Sequence, residues 1–265
     1  MAIFKGDGAN VFYEIKGDAA GEVITLINGY TRSSSDFKLM AAYLLEKGFR
    51  VLLIDNRGAG KSEHEKEFSL VSIIDDILGI WEKESIQRSH VLGISMGGYI
   101  AQLLAISHPQ FVSSLCLVST SMRLKSFLKA RPWGTEQTKI EEHLKIYFHE
   151  DFAQRNKFLL AAMAKKIAED NQSGEFDRKG ESQQAAVKRT PDVEDGLGQV
   201  QIPTLVIHGE NDQIFPLSEA QDLVAKIPHS QIKVFTQTGH LLLAEKHKEF
   251  YACVAEFFLT VHAIN

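Results

Sequence analysis

Hydrophobic residues alternate along the chain between short continuous runs and helical spacings, and this pattern predicts most of the secondary structure. Continuous apolar strands separated by amphipathic helices are typical of a parallel sheet that is covered on both faces. Before residue 121 the predicted strands are 10–16, 23–27, 50–55, 89–94 and 112–119, and the predicted helices are 33–48, 69–84 and 96–108. After residue 202 the predicted strands are 203–209 and 230–235, and the predicted helices are 217–227 and 246–260.

The segment between these two parts, residues 122–196, contains no strand-like run and is more densely charged than the rest of the chain. Its apolar residues have helical spacing, which predicts helices at 135–150, at 151–170 and around 178–189. We therefore predict a core formed by residues 1–121 and 197–265, interrupted by a solvated helical insertion.

Composition and charge narrow the function classes. The chain has 265 residues, is 44% hydrophobic and 24% charged, and carries a formal net charge of −5. Its basic residues are scattered, so nucleic acid is not an expected partner. The first residues lack the charged start and apolar core of a signal peptide, and no apolar run approaches the ~20 residues of a membrane span. Cys116 and Cys253 lie far apart in apolar runs, which favours buried thiols over a disulfide framework. We expect a soluble, cytoplasmic protein that does not bind membranes.

The segment from Gly93 to Gly97, which reads GISMG, carries the strongest chemical signal. It joins a predicted strand to a predicted helix, and a sharp strand-to-helix turn can hold the hydroxyl of Ser95 exposed and rigid. Such a turn crowds the backbone, so the positions two before and two after the serine need glycine. A serine at a helix start can also be a simple N-cap, but the flanking glycines favour a nucleophile.

A serine needs a base, and the base needs an acid that orients it. Asp212 follows the predicted strand 203–209, and His240 follows 230–235, so both lie where the carboxyl ends of parallel strands meet. The order Ser95, Asp212, His240 is that of nucleophile-elbow enzymes. Glu210 is the rival acid.

The loop after strand 23–27 is the candidate source of an oxyanion donor. It reads Asn28-Gly29-Tyr30, and we predict that the backbone N–H groups of Tyr30 and Met96 together bind the oxyanion. Gly29 allows the tight backbone path that this requires. We expect Asn28 and Gly29 to contact substrate.

Four segments, GISMGG, DNRGAGKS, HGENDQIFP and TGH, together resemble the α/β-hydrolase fold superfamily. Within it, the chain is most similar to small esterases and to lactonases of the 3-oxoadipate enol-lactonase type. The resemblance implies an α/β fold with a mostly parallel sheet of about eight strands and helices on both faces. It also implies a Ser95–His240–Asp212 triad and a helical cap at 122–196 above the substrate pocket. Members commonly carry His-Gly where this chain has Asn28-Gly29.

Two other segments resemble ligand-binding motifs, but each lacks a residue that the motif requires. GAGKS at 58–62 ends like a phosphate-binding loop, but the first glycine of that loop would fall at Asp55. HEKEF at 64–68 begins like a zinc-binding helix, but Phe68 occupies the position of the second ligand. We therefore predict no metal and no cofactor.

The apolar face of 151–170 carries Phe152, Leu159 and Met163, which we predict to line the pocket, although simple packing within the cap would explain them as well. The function predicted from the sequence is that of a serine hydrolase acting on a small, largely apolar carboxylic ester or lactone through an acyl-enzyme. Carbon–carbon bond or amide hydrolysis by the same triad is an alternative. A second alternative is a signalling protein of this fold that binds a small molecule and turns it over slowly.

Overall fold

The computed structural model describes residues 2–127 and 132–262, and it contains one sheet of nine strands. The strands are β1 (Ala2–Gly6), β2 (Ala9–Lys16), β3 (Val23–Ile27), β4 (Arg50–Ile54), β5 (Glu63–His64), β6 (Ser89–Ile94), β7 (Val112–Val118), β8 (Thr204–Gly209) and β9 (Ser230–Phe235). Their order is β1-β2-β4-β3-β6-β7-β8-β9, and the short β5 pairs with β2. The strands from β4 to β9 along this order are parallel, so their carboxyl ends share one edge.

The predicted mostly parallel sheet is confirmed, and the structure adds two strands that the hydrophobic pattern did not predict. The first, β1, pairs antiparallel with β2 at the edge of the sheet, and its residues are only half-buried or exposed. The second, β5, is two residues long. A short edge strand buries too little apolar surface to leave a clear pattern in the sequence.

Helices cover both faces of the sheet. They are α1 (Lys38–Glu46), α2 (Leu70–Lys83), α3 (Met96–Ser107), α4 (Leu124–Phe127), α5 (Gln137–Lys145), α6 (Glu150–Arg155), α7 (Lys157–Asp170), α8 (Glu175–Arg189), α9 (Leu217–Lys226), α10 (Leu242–Glu245) and α11 (His247–His262). Short 3₁₀ turns lie at Ser34–Phe37, Pro109–Phe111 and Leu197–Gln199. α2, α3 and α9 bury their apolar sides in one cluster, and α1 and α11 bury theirs in a second cluster on the opposite face. Alternate strand residues face the two clusters, as Val91 and Leu92 do in β6.

Among the residues that the structure describes between β7 and β8, five helices, α4 to α8, lie in the segment predicted as the cap. α5, α6 and α7 pack around small apolar clusters, one of which contains Ile140, Leu144 and Ile167, whereas α4 and α8 bury Leu124 and Val187 in the cluster shared with α2 and α3. The predicted helix 151–170 is divided at Asn156, where the backbone leaves the helical region. The helix predicted at 135–150 already ends at Lys145. The boundaries of the core and the cap stay a prediction.

Both cysteines, Cys116 and Cys253, are free thiols. Burial raises the pKa of the Cys116 thiol well above its usual value, so this group stays protonated and unreactive. No cluster of three or more His, Cys, Asp or Glu side chains suited to a metal ion occurs in residues 2–127 and 132–262. Within the same ranges, no helix combines the length and the apolar character that a membrane crossing requires.

Candidate active site

Ser95 lies in a strained turn between β6 and α3. Its φ is 55° and its ψ is −120°, in a region that costs a residue other than glycine on the order of 1–3 kcal/mol. Hydrogen bonds hold the turn: the Ser95 N–H donates to the Val118 carbonyl at 2.9 Å, and the Thr120 hydroxyl donates to the Ser95 carbonyl at 2.7 Å. The Ser95 residue is partly exposed, so a rigid backbone presents an accessible hydroxyl.

Two glycines make this turn possible. A Cβ added at Gly93 would lie 2.2 Å from the carbonyl oxygen of Gly97. A Cβ added at Gly97 would lie 2.2 Å from the carbonyl oxygen of Ile27, at the end of β3. Because both contacts are with backbone atoms, no side-chain rotation relieves them. The glycine spacing in the sequence therefore reflects the close approach of α3 to the sheet.

Asp212 and His240 form a buried pair. The Nδ1 of His240 lies 2.7 Å from Oδ2 of Asp212. The other carboxylate oxygen of Asp212 accepts backbone N–H groups from Ile214 at 2.8 Å and Phe215 at 3.0 Å. Burial by itself would raise the pKa of Asp212, but the charges of His240 and His208 and the hydrogen bonds from His240 and the Phe215 N–H outweigh it, so the pKa lies below its usual value. The rival acid, Glu210, is exposed and accepts a hydrogen bond from the Gln237 N–H at 3.3 Å.

Ser95, Asp212 and His240 follow β6, β8 and β9, so the structure places all three at the carboxyl edge of the sheet. In the described part of the chain, Ser95 Oγ makes no hydrogen bond. Nucleophile–base contacts are often loose in sites without substrate, and they tighten in the complex.

A second histidine, His208, contacts the same carboxylate. Its Nε2 lies 2.9 Å from the Phe215 carbonyl oxygen and 3.5 Å from Oδ2 of Asp212. Because His208 is fully buried, its pKa is lowered, which favours the neutral ring that donates from Nε2 to the Phe215 carbonyl. The position of His208 inside a predicted strand favours a structural role, since a histidine in a strand gives no pattern that separates packing from support of a site.

The loop that carries His240 is bound to the helical segment. The N–H groups of His240 and Leu241 both donate to the Tyr147 carbonyl, at 2.9 Å and 3.1 Å. The carboxylate of Glu245 accepts the Gly239 N–H at 2.9 Å and the His149 N–H at 3.0 Å. Glu245 thus connects the histidine loop to residues 147–149, a role that the sequence did not indicate.

The loop after β3 lies against the nucleophile. A Cβ added at Gly29 would lie 3.2 Å from Cβ of Ser95 and 3.7 Å from its hydroxyl oxygen. The Gly29 N–H donates to Oδ1 of Asn28 at 2.8 Å. The Asn28 side chain also donates to the Ser33 carbonyl at 2.7 Å, and it is buried. These contacts use Asn28 to shape the loop, and its predicted contact with substrate stays a prediction.

The next amide along this loop, that of Tyr30, makes no hydrogen bond within the described ranges. Met96 is the first residue of α3, where N–H groups have no partner inside the helix. The two predicted oxyanion donors are therefore available to a ligand. Tyr30 has its side chain against α8, since a Cβ at Gly180 would lie 2.8 Å from the Tyr30 hydroxyl.

The three apolar residues predicted to line the pocket lie in the helical segment, and their contacts are mostly with that segment. Phe152 stacks on Phe148 with ring centroids 5.3 Å apart. Met163 packs against both small apolar clusters of the segment, and Leu159 is 41% exposed. These contacts fit packing within the segment, and the pocket role of the three residues stays a prediction.

The sheet order, the elbow at Ser95 and the long helical insertion define an α/β hydrolase. Residues 18–247 match the family described as serine aminopeptidase S33, and the chain belongs to that family of hydrolases.

Three similar proteins illustrate the range of this group. The 2-hydroxy-6-oxononadienedioate/2-hydroxy-6-oxononatrienedioate hydrolase of Cupriavidus pinatubonensis is 28% identical, over 90% of this chain and 87% of its own. The pimeloyl-[acyl-carrier protein] methyl ester esterase of Vibrio campbellii is 26% identical, over 89% of this chain and 94% of its own. The meta-cleavage product hydrolase from Pseudomonas fluorescens has a TM-score of 0.83 at 22% identity and covers 98% of both chains, which shows the shared fold.

Proposed function

We propose that this hydrolase cleaves a small, largely apolar carboxylic ester or lactone with Ser95 as the nucleophile. The observation that carries the proposal is the strained backbone of Ser95, held at φ 55° between two glycines at the edge where Asp212 and His240 pair. Strain of this kind persists only where the surroundings enforce it, and it concentrates at functional sites.

In the proposed reaction, His240 removes the hydroxyl proton as Ser95 attacks the substrate carbonyl. The N–H groups of Tyr30 and Met96 donate to the oxyanion of the tetrahedral intermediate. Collapse of this intermediate breaks the ester bond, and His240 returns the proton to the departing alcohol. His240 then takes a proton from water as the water attacks the acyl-enzyme, and it returns that proton to the Ser95 oxygen when the acyl bond breaks and the acid leaves. Asp212 holds the imidazole in orientation and stabilises its charged form.

An ester substrate is supported by similarity to the methyl ester esterase. Carbon–carbon bond hydrolysis is the second candidate, because the dienedioate hydrolase is also similar over most of its length. For an amide substrate with a free amine, an unpaired acidic side chain near the site would be expected. Asp170 and Glu175 line a pocket of about 290 Å³ beside the loop after β3, but each is paired with a lysine, Lys166 and Lys179.

A fluorophosphonate probe and a short-chain nitrophenyl ester test the proposal. We expect the wild-type protein to label and to show a burst followed by steady turnover. Ser95→Ala should abolish both, and His240→Ala should slow labelling by at least ~10²-fold. Ser107→Ala, at the far end of the same helix, is the matched control and should behave as wild type. If folded Ser95→Ala protein hydrolyses the ester at the wild-type rate, the nucleophile is assigned wrongly.

The same assay separates an enzyme from a slow ligand-binding protein. An enzyme should hydrolyse many ester molecules per active site titrated in the burst, whereas a slow ligand-binding protein should stop after about one. Parallel assays with a nitrophenyl ester, a lactone and a vinylogous diketone compare the candidate bonds directly. Faster turnover of the diketone would replace the ester proposal by carbon–carbon bond hydrolysis.

A further inference from the structure

Gln183 of α8 connects the helical segment to the loop after β3. It is completely buried, and both ends of its side-chain amide are used. Its Oε1 accepts the Thr31 N–H at 2.7 Å, and its Nε2 donates to the Arg57 carbonyl at 2.9 Å. A side chain at this position must therefore accept at one end and donate at the other, which only a primary amide does with this shape.

The Arg57 end of this connection is firmly anchored. The Arg57 guanidinium donates twice to the Asp76 carboxylate, at 2.6 Å and 2.8 Å, and both side chains are buried. It also donates to the Asp7 carbonyl at 3.0 Å. These contacts with Asp76 and Asp7 lie outside the loop that carries Tyr30, so they fix one end of the Gln183 connection, and the preceding Asn56 adds a hydrogen bond to the Asn28 carbonyl at 2.9 Å.

The Thr31 end of the connection is strained. Thr31 has a φ of 60°, which is unusual for a β-branched residue, and it directly follows Tyr30 in the chain. The Tyr30 N–H belongs to the preceding peptide unit, which joins Gly29 to Tyr30, and the Tyr30–Thr31 unit adjoins it through the backbone torsions of Tyr30. A hydrogen bond to the Thr31 N–H therefore restrains the position of the predicted oxyanion donor one residue earlier.

We propose that Gln183 is a positioning residue for the oxyanion hole, holding the Tyr30 amide in place through Thr31 by reference to Arg57. The inference rests on the proposed function, in which the Tyr30 N–H stabilises the tetrahedral oxyanion. It assigns a catalytic consequence to a residue of the helical segment that does not contact the reacting atoms. Oxyanion donors stabilise the transition state only if they already point at the oxyanion position before the reaction begins. A displaced amide therefore lowers kcat more than it weakens substrate binding.

The test replaces Gln183 by Met, which keeps the side-chain length and removes both hydrogen bonds. Rates are divided by the number of sites titrated in the nitrophenyl ester burst, so that loss of folded protein does not enter kcat. We expect kcat to fall about 10-fold to 100-fold while KM changes less than about twofold. Gln183→Glu, which retains an acceptor for Thr31 but opposes the Arg57 carbonyl, should give a smaller loss and serves if Gln183→Met does not fold.

A second readout depends on the oxyanion itself. Sulfur is a weaker and larger acceptor than oxygen, so a well-aimed oxyanion hole favours an ester over its thionoester. The ester-to-thionoester rate ratio should shrink in Gln183→Met, and a trifluoromethyl ketone that forms a tetrahedral adduct should bind more weakly by the same factor as kcat/KM. Gln184→Leu, the neighbouring residue of α8, is the matched control and should leave both ratios at wild-type values.

The outcomes distinguish the two levels of the proposal. If Gln183→Met keeps the wild-type kcat per titrated site and the wild-type ester-to-thionoester ratio, the positioning role is overturned while the Ser95 mechanism stands. If Ser95→Ala retains turnover, the proposed function fails, and the role of Gln183 fails with it.

Discussion

Substitution of Gly97 by alanine tests how tightly the elbow is built. The added Cβ would lie 2.2 Å from the Ile27 carbonyl oxygen and 2.6 Å from that of Asn28. Carbon–oxygen contacts in proteins stay above about 3.0 Å, so α3 and the end of β3 must separate by roughly 0.8 Å. That movement separates Ser95 from the loop that carries the Tyr30 amide.

A displacement of about 1 Å between a nucleophile and its partners can cost ~10²-fold in rate. We therefore expect Gly97→Ala to lower kcat about 100-fold, and overpacking to destabilise the fold by about 1–3 kcal/mol. Nitrophenyl ester hydrolysis per titrated site measures the first effect, and urea unfolding measures the second.

Gly198 provides the matched control, because a Cβ there would meet nothing within 4 Å. Gly198→Ala should leave kcat unchanged and alter stability by less than about 1 kcal/mol. A Gly97→Ala protein with wild-type kcat would refute the reasoning, since it would show that the elbow and the oxyanion loop tolerate separation.

Three further predictions concern the support of the histidine. Asp212→Asn should lower the kcat of ester hydrolysis by about 10⁴-fold with little change in KM, because the amide no longer orients and stabilises the imidazolium. A near-normal kcat would show that Asp212 has no part in the mechanism. Glu245→Gln retains one acceptor for two N–H groups, so we expect the free energy of unfolding in urea to fall by about 1–3 kcal/mol. Glu249→Gln on α11 is the control, and its free energy of unfolding should not change. The lowered pKa of His208 means that the unfolded chain binds a proton that the folded chain does not, so stability should decrease as pH falls below about 6.5. His208→Asn should weaken this pH dependence of the unfolding free energy, and an unchanged slope would contradict the assignment.

The hydrophobic pattern of the sequence predicted the limits of several strands and helices. The structure has the strands predicted at 89–94 and 230–235 within the same limits, and it starts and ends α2 one residue inside the predicted helix 69–84. β6 buries a continuous run and α2 buries a clear helical stripe, whereas β9 lies at the edge of the sheet and buries only Phe235. The division of α6 from α7 at Asn156 left no such pattern, because asparagine is also tolerated inside helices.

The candidate site also contains residues that the sequence could predict and residues that it could not. Ser95 could be predicted because the elbow demands glycines at fixed spacing, and the order of strands then limited the acid and base to a few loop residues. Gln183 and Glu245 could not be predicted, because their partners lie far away in sequence: 152 residues separate Gln183 from Thr31, and 96 separate Glu245 from His149. A buried amide and an exposed amide read alike in the sequence, and only the tertiary structure distinguishes them.

These distant contacts bear on how the helical segment can move. Moving α8 away from the sheet would break both hydrogen bonds of Gln183 and leave the Thr31 N–H and the Arg57 carbonyl without partners, at a cost of about 1–3 kcal/mol for each group that stays buried. Moving residues 147–149 would break the hydrogen bonds that the His240 and Leu241 N–H groups donate to the Tyr147 carbonyl, and the one that the His149 N–H donates to Glu245. The segment therefore contacts both halves of the candidate site, and an opening that leaves the site intact must be confined to parts of the segment away from these two contacts.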